Sequence, residues 1–319
     1  METKSEDTRE LEVLKGKKEK FVPTIIWPNV IGFAILHLGA IYGWYLVLSG
    51  TLLLTSAYAL SFGLITGLAI TIGAHRLWAH RSYKAKLPLR VILLIGQTMC
   101  GQNCLWIWVR DHRLHHKYSD TDADPHNSSR GFFFSHIGWL LCKKHPEVIA
   151  KGRQIDLSDL EADPWIMFQK RHYKILYVVF AILIPVAIPC YFWNETIWNS
   201  FIICYVARYI TLLNATWCVN SVAHFYGTRP YDKNIPPVEN KFVSIITHGE
   251  GWHNYHHAFP WDCNAAELGR DYNFSGKVLA FLERIGQAYD LKKATKDMAM
   301  NRVLKKGDGS HPIRSNATY

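Results

Sequence analysis

Apolar and polar positions are strongly segregated along this chain. From Phe21 to Ala74 there is no Asp, Glu, Lys or Arg, a run of 54 residues. A helix needs about 20 apolar residues to cross the hydrocarbon core, so the run predicts two crossings. They lie at Asn29 to Leu48 and Leu52 to Ile72, joined at Ser49-Gly50. The run is too long for a signal peptide and no cleavage pattern follows it. A second pair lies downstream. Ile175 to Trp193 is free of charge and carries Pro185 and Pro189, which membrane helices tolerate. Glu195 marks a turn, and Ile197 to Val222 follows with Arg208 as its single charge. Asn194-Glu195-Thr196 is formally a glycosylation sequon, but so tight a turn holds it too close to the bilayer for modification.

Lys and Arg set the orientation. Lys15, Lys17, Lys18 and Lys20 precede the first crossing, and Arg76, Arg81, Lys84, Lys86 and Arg90 follow the second. The hairpin turns carry neither residue type. Both termini and the large middle segment are therefore expected in the cytosol. The expected organisation is a tail (1–20), a membrane hairpin (21–74), a first cytosolic part (75–171), a second hairpin (172–223), a second cytosolic part (224–309) and a C-terminal tail (310–319). Val91 to Val109 is also free of charge, over 19 residues, but Gln97, Gln102 and Asn103 interrupt it.

The histidines resolve that ambiguity. There are 16 in the chain, and they cluster. His75 and His80 follow the second crossing, and His112, His115 and His116 follow the ambiguous segment. His224 ends the fourth crossing, and His253, His256 and His257 form a second HxxHH. Positions i, i+3 and i+4 share one helical face, so the two triplets present six imidazoles as two compact patches. His75 and His80 are five apart and do not share a face on a straight α-helix, so the helix is expected to end or distort there. Neutral imidazole is a good ligand for iron, zinc and copper. Nine histidines are too many for one ion with an open position; two ions at four to five nitrogens each fit. Asn220, one turn before His224, is placed to hold a metal-bound water. All ligands of one centre must share one side of the bilayer, so the segment 91–109 is expected to lie along the interface or pack inward without crossing.

Composition adds less. Half of the 319 residues are apolar (49%) and 13% are aromatic, which excludes a disordered or low-complexity chain. The mean hydropathy of −0.04 is an average over unlike parts. The formal charge of +10 suits anionic partners. The seven Cys are odd in number and lack paired CxxC spacing, so they read as reduced thiols facing the cytosol. No nucleic-acid-binding module is recognisable.

The segments HRLWAH (75–80), DHRLHHKYSDTDADPHN (111–127), NSVAHFYGTRPYDKN (220–234) and GEGWHNYHHAFPWD (249–262) closely resemble the histidine boxes of the animal membrane acyl-CoA desaturases, the stearoyl-CoA desaturase family. The similarity runs from Phe21 to Gly309. The resemblance implies an all-α integral membrane protein of the endoplasmic reticulum, with four transmembrane helices capped by a cytosolic helical domain that holds a di-iron site. It implies insertion of a cis double bond, most often between carbons 9 and 10, into a saturated long-chain acyl-CoA. Dioxygen would be the co-substrate, and cytochrome b5 with its reductase the electron source. It leaves the oligomeric state open, a homodimer included. The nine histidines match the family's iron ligands, with Asn220 acting through water and no further catalytic side chain. Asn29, Asn103, Arg110, Asp111, Lys143, Lys144 and Trp217 match positions that contact CoA. Lys143 departs from the family, where an Arg is familiar, so a forked phosphate contact becomes a point-charge contact. Gly63 and Gly67 lie along the methyl end of the acyl tunnel, where small residues would admit long chains; the same spacing also serves close helix packing. Carboxylates must orient ligand imidazoles, and Asp111, Asp120, Asp124 and Glu250 are the nearby candidates. His126 reads as a turn or supporting residue, and His248, His37, His136, His145, His172 and His311 as ordinary histidines.

Two other classes compete. A membrane hydroxylase uses a similar set of histidines and returns oxygen to the substrate. A haem electron carrier would place its histidines within opposing crossings, whereas here the boxes lie at or beyond the ends of the crossings, and a metal transporter would want polar groups lining a path at mid-membrane.

Overall fold

The protein is described by a computed structural model covering residues 22–49 and 53–315. The cationic run Lys15, Lys17, Lys18 and Lys20, the positions Gly50 and Leu52, and the end of the C-terminal tail lie outside the described residues. Among the described residues, four helices are long and apolar enough to cross a bilayer: Trp27–Leu48, Leu53–Ala79, Pro164–Trp193 and Ile197–Phe225. They contain the expected crossings as far as those residues are described. The second runs past the apolar stretch into the polar half of the molecule, and the third begins there, because helical hydrogen bonding does not stop at the edge of the hydrocarbon.

The first helix, α1 (Trp27–Leu48), exposes Trp27, Ile31, Ile35, Leu38, Ile41 and Tyr45. That spacing is one stripe of a helix, and an uninterrupted exposed apolar stripe is a lipid-facing surface. Its other side packs on the fourth span. The second helix, α2 (Leu53–Leu68), continues without a break as a π-helix over Ala69–Ala79. His80 N donates to His75 O at 3.0 Å, a bond over five residues. The wider π turn swings positions i and i+5 toward the same side, so the expected distortion between His75 and His80 is a π-helix in which their ring centres come within 4.8 Å.

The ambiguous segment is two helices. α3 (Leu87–Cys100) and α4 (Leu105–Tyr118) meet at 84°, so the segment 91–109, expected to lie along the interface or pack inward, is a sharply broken pair of helices. The break has a local cause. Gly101 has φ +69°, and a Cβ there would lie 2.7 Å from the rings of Tyr177 and Tyr209. Only glycine accepts both the left-handed backbone and the close approach. Asn103 follows with φ +69° as well.

In the third span, α5 (Pro164–Tyr177) and α6 (Ile184–Trp193) are joined by a π turn over Val178–Leu183. Pro185 has no N–H to donate to Ala181 O. Arg208, the one charge of the fourth span, supplies the missing donor at 3.2 Å. It sits at the start of α7 (Arg208–Asn220), is buried, and also donates to Cys204 O and Met99 O.

Beyond the spans, α8 (Lys241–Ile246), α9 (His253–Ala258), α10 (Phe274–Arg284) and α11 (Lys296–Lys306) build the helical cap. A short antiparallel pair, β1 (Lys84–Ala85) with β2 (Ala288–Tyr289), ties the cap to the end of the second span. Its largest core joins Leu77 and Trp78 to Leu89, Leu93, Leu105, Val109 and Leu279. All seven cysteines are free thiols.

Candidate metal centre

Four elements converge under the cap. The π-helical end of the second span brings His75 and His80, and α4 brings His112, His115 and His116. The turn after α7 brings His224, and α9 brings His253, His256 and His257. They form two groups in which all candidate ligand atoms lie within 4.8 Å of one another. One is His75, His80, His112, His116 and His256; the other is His115, His224, His253 and His257.

The triplets are not used as two patches. α4 gives His112 and His116 to the first group and His115 to the second; α9 gives His253 and His257 to the second and His256 to the first. The split follows from helix geometry. Residues i and i+4 point about 40° apart, and i+3 points about 60° to the other side of i. Each HxxHH therefore straddles two sites, and the two helices straddle them in opposite senses.

Carboxylates set the ring orientation, one for each of three imidazoles. Glu250 meets His75 Nδ1 at 2.8 Å, Asp124 meets His115 Nδ1 at 2.8 Å, and Asp120 meets His224 Nδ1 at 3.0 Å. Asp111 instead pairs with Arg110 and Lys144. Glu250 is shared with the buried Arg76, whose Nη2 is 2.8 Å away. Burial alone would raise Glu250, but Arg76 and His75 outweigh it and hold the carboxyl down at about 2. His126 sits behind Asp124 at 3.5 Å.

This donor arrangement fits metal ions. Once Nδ1 donates to a carboxylate, Nε2 carries a bare lone pair. His75 Nε2 lies 3.0 Å from His256 Nε2, His115 Nε2 lies 3.3 Å from His257 Nε2, and the buried His224 Nε2 has no hydrogen-bond partner among the described residues. Imidazole nitrogens converging this closely, three of their rings held with Nδ1 on a carboxylate, fit a shared cation. Burial, reinforced by neighbouring imidazoles, pushes His80, His112, His116, His253, His256 and His257 well below the usual imidazole range. They stay neutral, the form that binds metal. His115 is raised instead, because Asp124 outweighs its burial.

Two supporting residues carry no signal in the sequence. Asn254, between ligand positions 253 and 256, is fully buried. It accepts from Tyr231 N and Asp232 N and donates to Asp232 O and Pro237 O, which fixes the roll of α9. Glu239, pushed up to about 8 by burial, accepts from Tyr255 N at 2.7 Å in the first turn of α9.

A cavity leads from the clusters toward the membrane half. Asn220, His75, His112, His115 and His253 line it, as do Trp108, Ile70, Val219 and Leu212. Gly67 and His248 also face it. A Cβ built at Gly63 would lie 3.6 Å from the Cγ of Arg208, and Gly63 is not among the residues lining this cavity. On the outer side, a groove reaches His80 and is lined by Arg81, Arg113, Lys117 and Trp261.

The remaining candidate residues divide. Arg110, Asp111 and Lys144 form one ionic group, with Nη2 to Oδ1 at 2.7 Å and Nζ to Oδ2 at 2.5 Å. Nearby strand-like contacts place Lys143 N on Thr24 O, and the exposed Asn29 donates to Leu140 O at 2.7 Å. Asn103 lies in the α3–α4 break and its carbonyl accepts from Gln97. Trp217 is buried against Phe33, His37 and His136.

The family described as fatty acid desaturase matches residues 49–264. An acyl-CoA Delta-9 desaturase of Acheta domesticus is 53% identical over 94% of this chain and 84% of its own length. An acyl-CoA Delta12-desaturase of the same species is 52% identical over 94% and 85%. An acyl-CoA Delta(11) desaturase of Spodoptera littoralis is 48% identical over 98% and 91%.

Proposed function

The chain belongs to the fatty acid desaturase family and is an acyl-CoA desaturase, and from that premise we propose that it is a di-iron enzyme placing a cis double bond between carbons 9 and 10 of a saturated long-chain acyl-CoA. The observation that carries the reading is the pair of imidazole clusters at the head of an apolar-walled cavity. His75, His80, His112, His116 and His256 would hold one iron. His115, His224, His253 and His257 would hold the other, with Asn220 reaching it through water. Bound there, the irons would supply the oxidising power, drawn from dioxygen and two electrons, that an unactivated methylene requires.

The chain's own residues supply the rest. Glu250, Asp124 and Asp120 hold His75, His115 and His224 in the ligating tautomer. Ile70, Val219 and Leu212 keep water from the reacting carbons. Arg110 and Lys144, with Asp111 between them, receive the phosphates and adenine of CoA, assisted by Asn29, Asn103, Lys143 and Trp217. Gly67 marks the membrane end of the acyl channel, and Gly63, one turn beyond it, lies outside the cavity's lining. The outer groove beside His80 offers Arg81, Arg113 and Lys117 to an acidic electron donor such as cytochrome b5. Both termini and the cap face the cytosol from the endoplasmic reticulum membrane.

The relatives act at different positions by name, so the 9,10 assignment needs its own test. Expression in desaturase-deficient yeast, with double bonds located by gas chromatography–mass spectrometry, should give a 9,10 olefin that disappears in His112→Ala. An olefin at carbon 11 or 12 would overturn the position while leaving the activity. A hydroxylated acyl chain in place of an olefin would overturn the reaction.

A further inference from the structure

Gly67 faces the cavity two turns of helix before His75, on the order of 12 Å along the axis. Across the channel, Leu212 stands the same distance before Asn220 on α7. The ligand end and the Gly67–Leu212 level are thus two ends of one channel. The space left open by the missing Cβ of Gly67 is not empty. A Cβ built there would lie 2.8 Å from His248 Cε1, 3.3 Å from His248 Nδ1 and 3.4 Å from Leu212 Cδ1. The glycine therefore makes room for an imidazole from the cap.

His248 is held firmly. Its backbone is left-handed, with φ +61°. Its carbonyl accepts from Ser275 N at 2.9 Å, and the Ser275 hydroxyl bonds Thr71 on the π-helix at 2.7 Å. Gly249 N, the next residue's, donates to Ser244 O at 2.8 Å. Burial pushes the imidazole below its ordinary range, so the ring facing the channel is neutral. A neutral ring carried on this backbone and packed against Gly67 forms a wall of the channel.

We propose that His248 is a specificity-determining residue that closes the channel against Gly67 and sets the longest acyl chain the enzyme accepts. The inference rests on the acyl-CoA reading above and adds a residue to it. On this view Gly67 does not by itself deepen the channel, because the depth it offers is occupied by His248.

The test uses the full chain in microsomes with its electron donor and a graded series of saturated acyl-CoAs. Glycine keeps the left-handed backbone at position 248, so His248→Gly removes the ring alone. It should extend the accepted length by about two carbons, with turnover of the longer substrate rising about tenfold relative to the wild-type optimum. Gly67→Ala should shift preference to shorter chains in the wild-type background and lose that effect in His248→Gly. If His248→Gly fails to fold, His248→Asn, which also tolerates the left-handed region, is read against the same expectation. An unchanged length profile in a folded, active variant overturns the inference and leaves the enzyme reading intact. Absence of desaturation of every acyl-CoA by the wild-type protein overturns both.

Discussion

The carboxylate behind each anchored imidazole does more than fill space. Asp124 is buried, accepts from Asp120 N and His126 N, and still faces His115 Nδ1. Replacing it by Asn keeps the shape but offers an amide whose N–H can face Nδ1, so the His115 ring is no longer held with its Nε2 lone pair inward. Asp124→Asn is therefore expected to weaken metal retention about 10- to 100-fold, measured as metal bound per protein after dialysis against a graded chelator. Retention equal to wild type would remove Asp124 from the supporting role. These pairings were hidden at the level of the sequence. Four nearby acids were candidates, and spacing could not say which would meet an imidazole. Glu250 and His75 are far apart in the chain but 2.8 Å apart in the fold, whereas Asp111, next to His112, is taken by Arg110 and Lys144.

Elements show the same division. Charge-free stretches of about 20 residues are a local property, so the crossings could be read directly. The ends could not, because the helices outlast their apolar stretches. Proline and arginine in two different spans illustrate a dependence that no window of sequence contains. Pro185 frees the Ala181 carbonyl and Arg208 takes it. Replacing Arg208 by Met should leave the carbonyls of Ala181, Cys204 and Met99 without this donor, at about 1–3 kcal/mol each where no other partner replaces it. The expected result is a lower thermal transition in detergent. Pro185→Ala, which restores an N–H at position 185, should recover part of the loss in the double variant. Strict additivity of the two substitutions would argue against the coupling. The break between α3 and α4 was likewise visible only as weak polarity at Gln97, Gln102 and Asn103. Its cause, the crowding of Gly101 by Tyr177 and Tyr209, belongs to other helices.

At the scale of the molecule, the cap concentrates neutral histidines inside a basic protein. Six of them are pushed well below their ordinary range. Below about pH 6.5, the unfolded chain protonates these rings while the folded metal-free protein does not. The unfolded state then binds more protons, so stability rises with pH and falls as pH drops through that value. Metal-stripped protein should show a thermal transition that declines between pH 7.5 and pH 5.5, and bound metal should flatten the decline by competing with protons. A transition independent of pH would contradict the burial of neutral ligands. The outer groove adds a second molecular-scale expectation. Lys117 is exposed, and Lys117→Glu should slow turnover driven by an acidic donor several-fold, with a weaker dependence on ionic strength. Metal content should be unchanged. Equal turnover across salt concentrations in both proteins would place the docking surface elsewhere.

The sequence by itself determined the number of crossings, the placing of the histidine boxes on one side of them, and the donor type, because each depends on residues within a few turns of one another. The family was legible for the same reason: its motifs are short, dense and local. What only the tertiary structure decided were relations between distant segments. Each HxxHH is divided between two sites, three acids are assigned to three imidazoles, Arg208 answers Pro185, and His248 fills the space that Gly67 vacates. These depend on the angle at which helices meet and on which side chain first reaches a buried polar atom. Period and composition say which residues face inward, and packing chooses what they meet there.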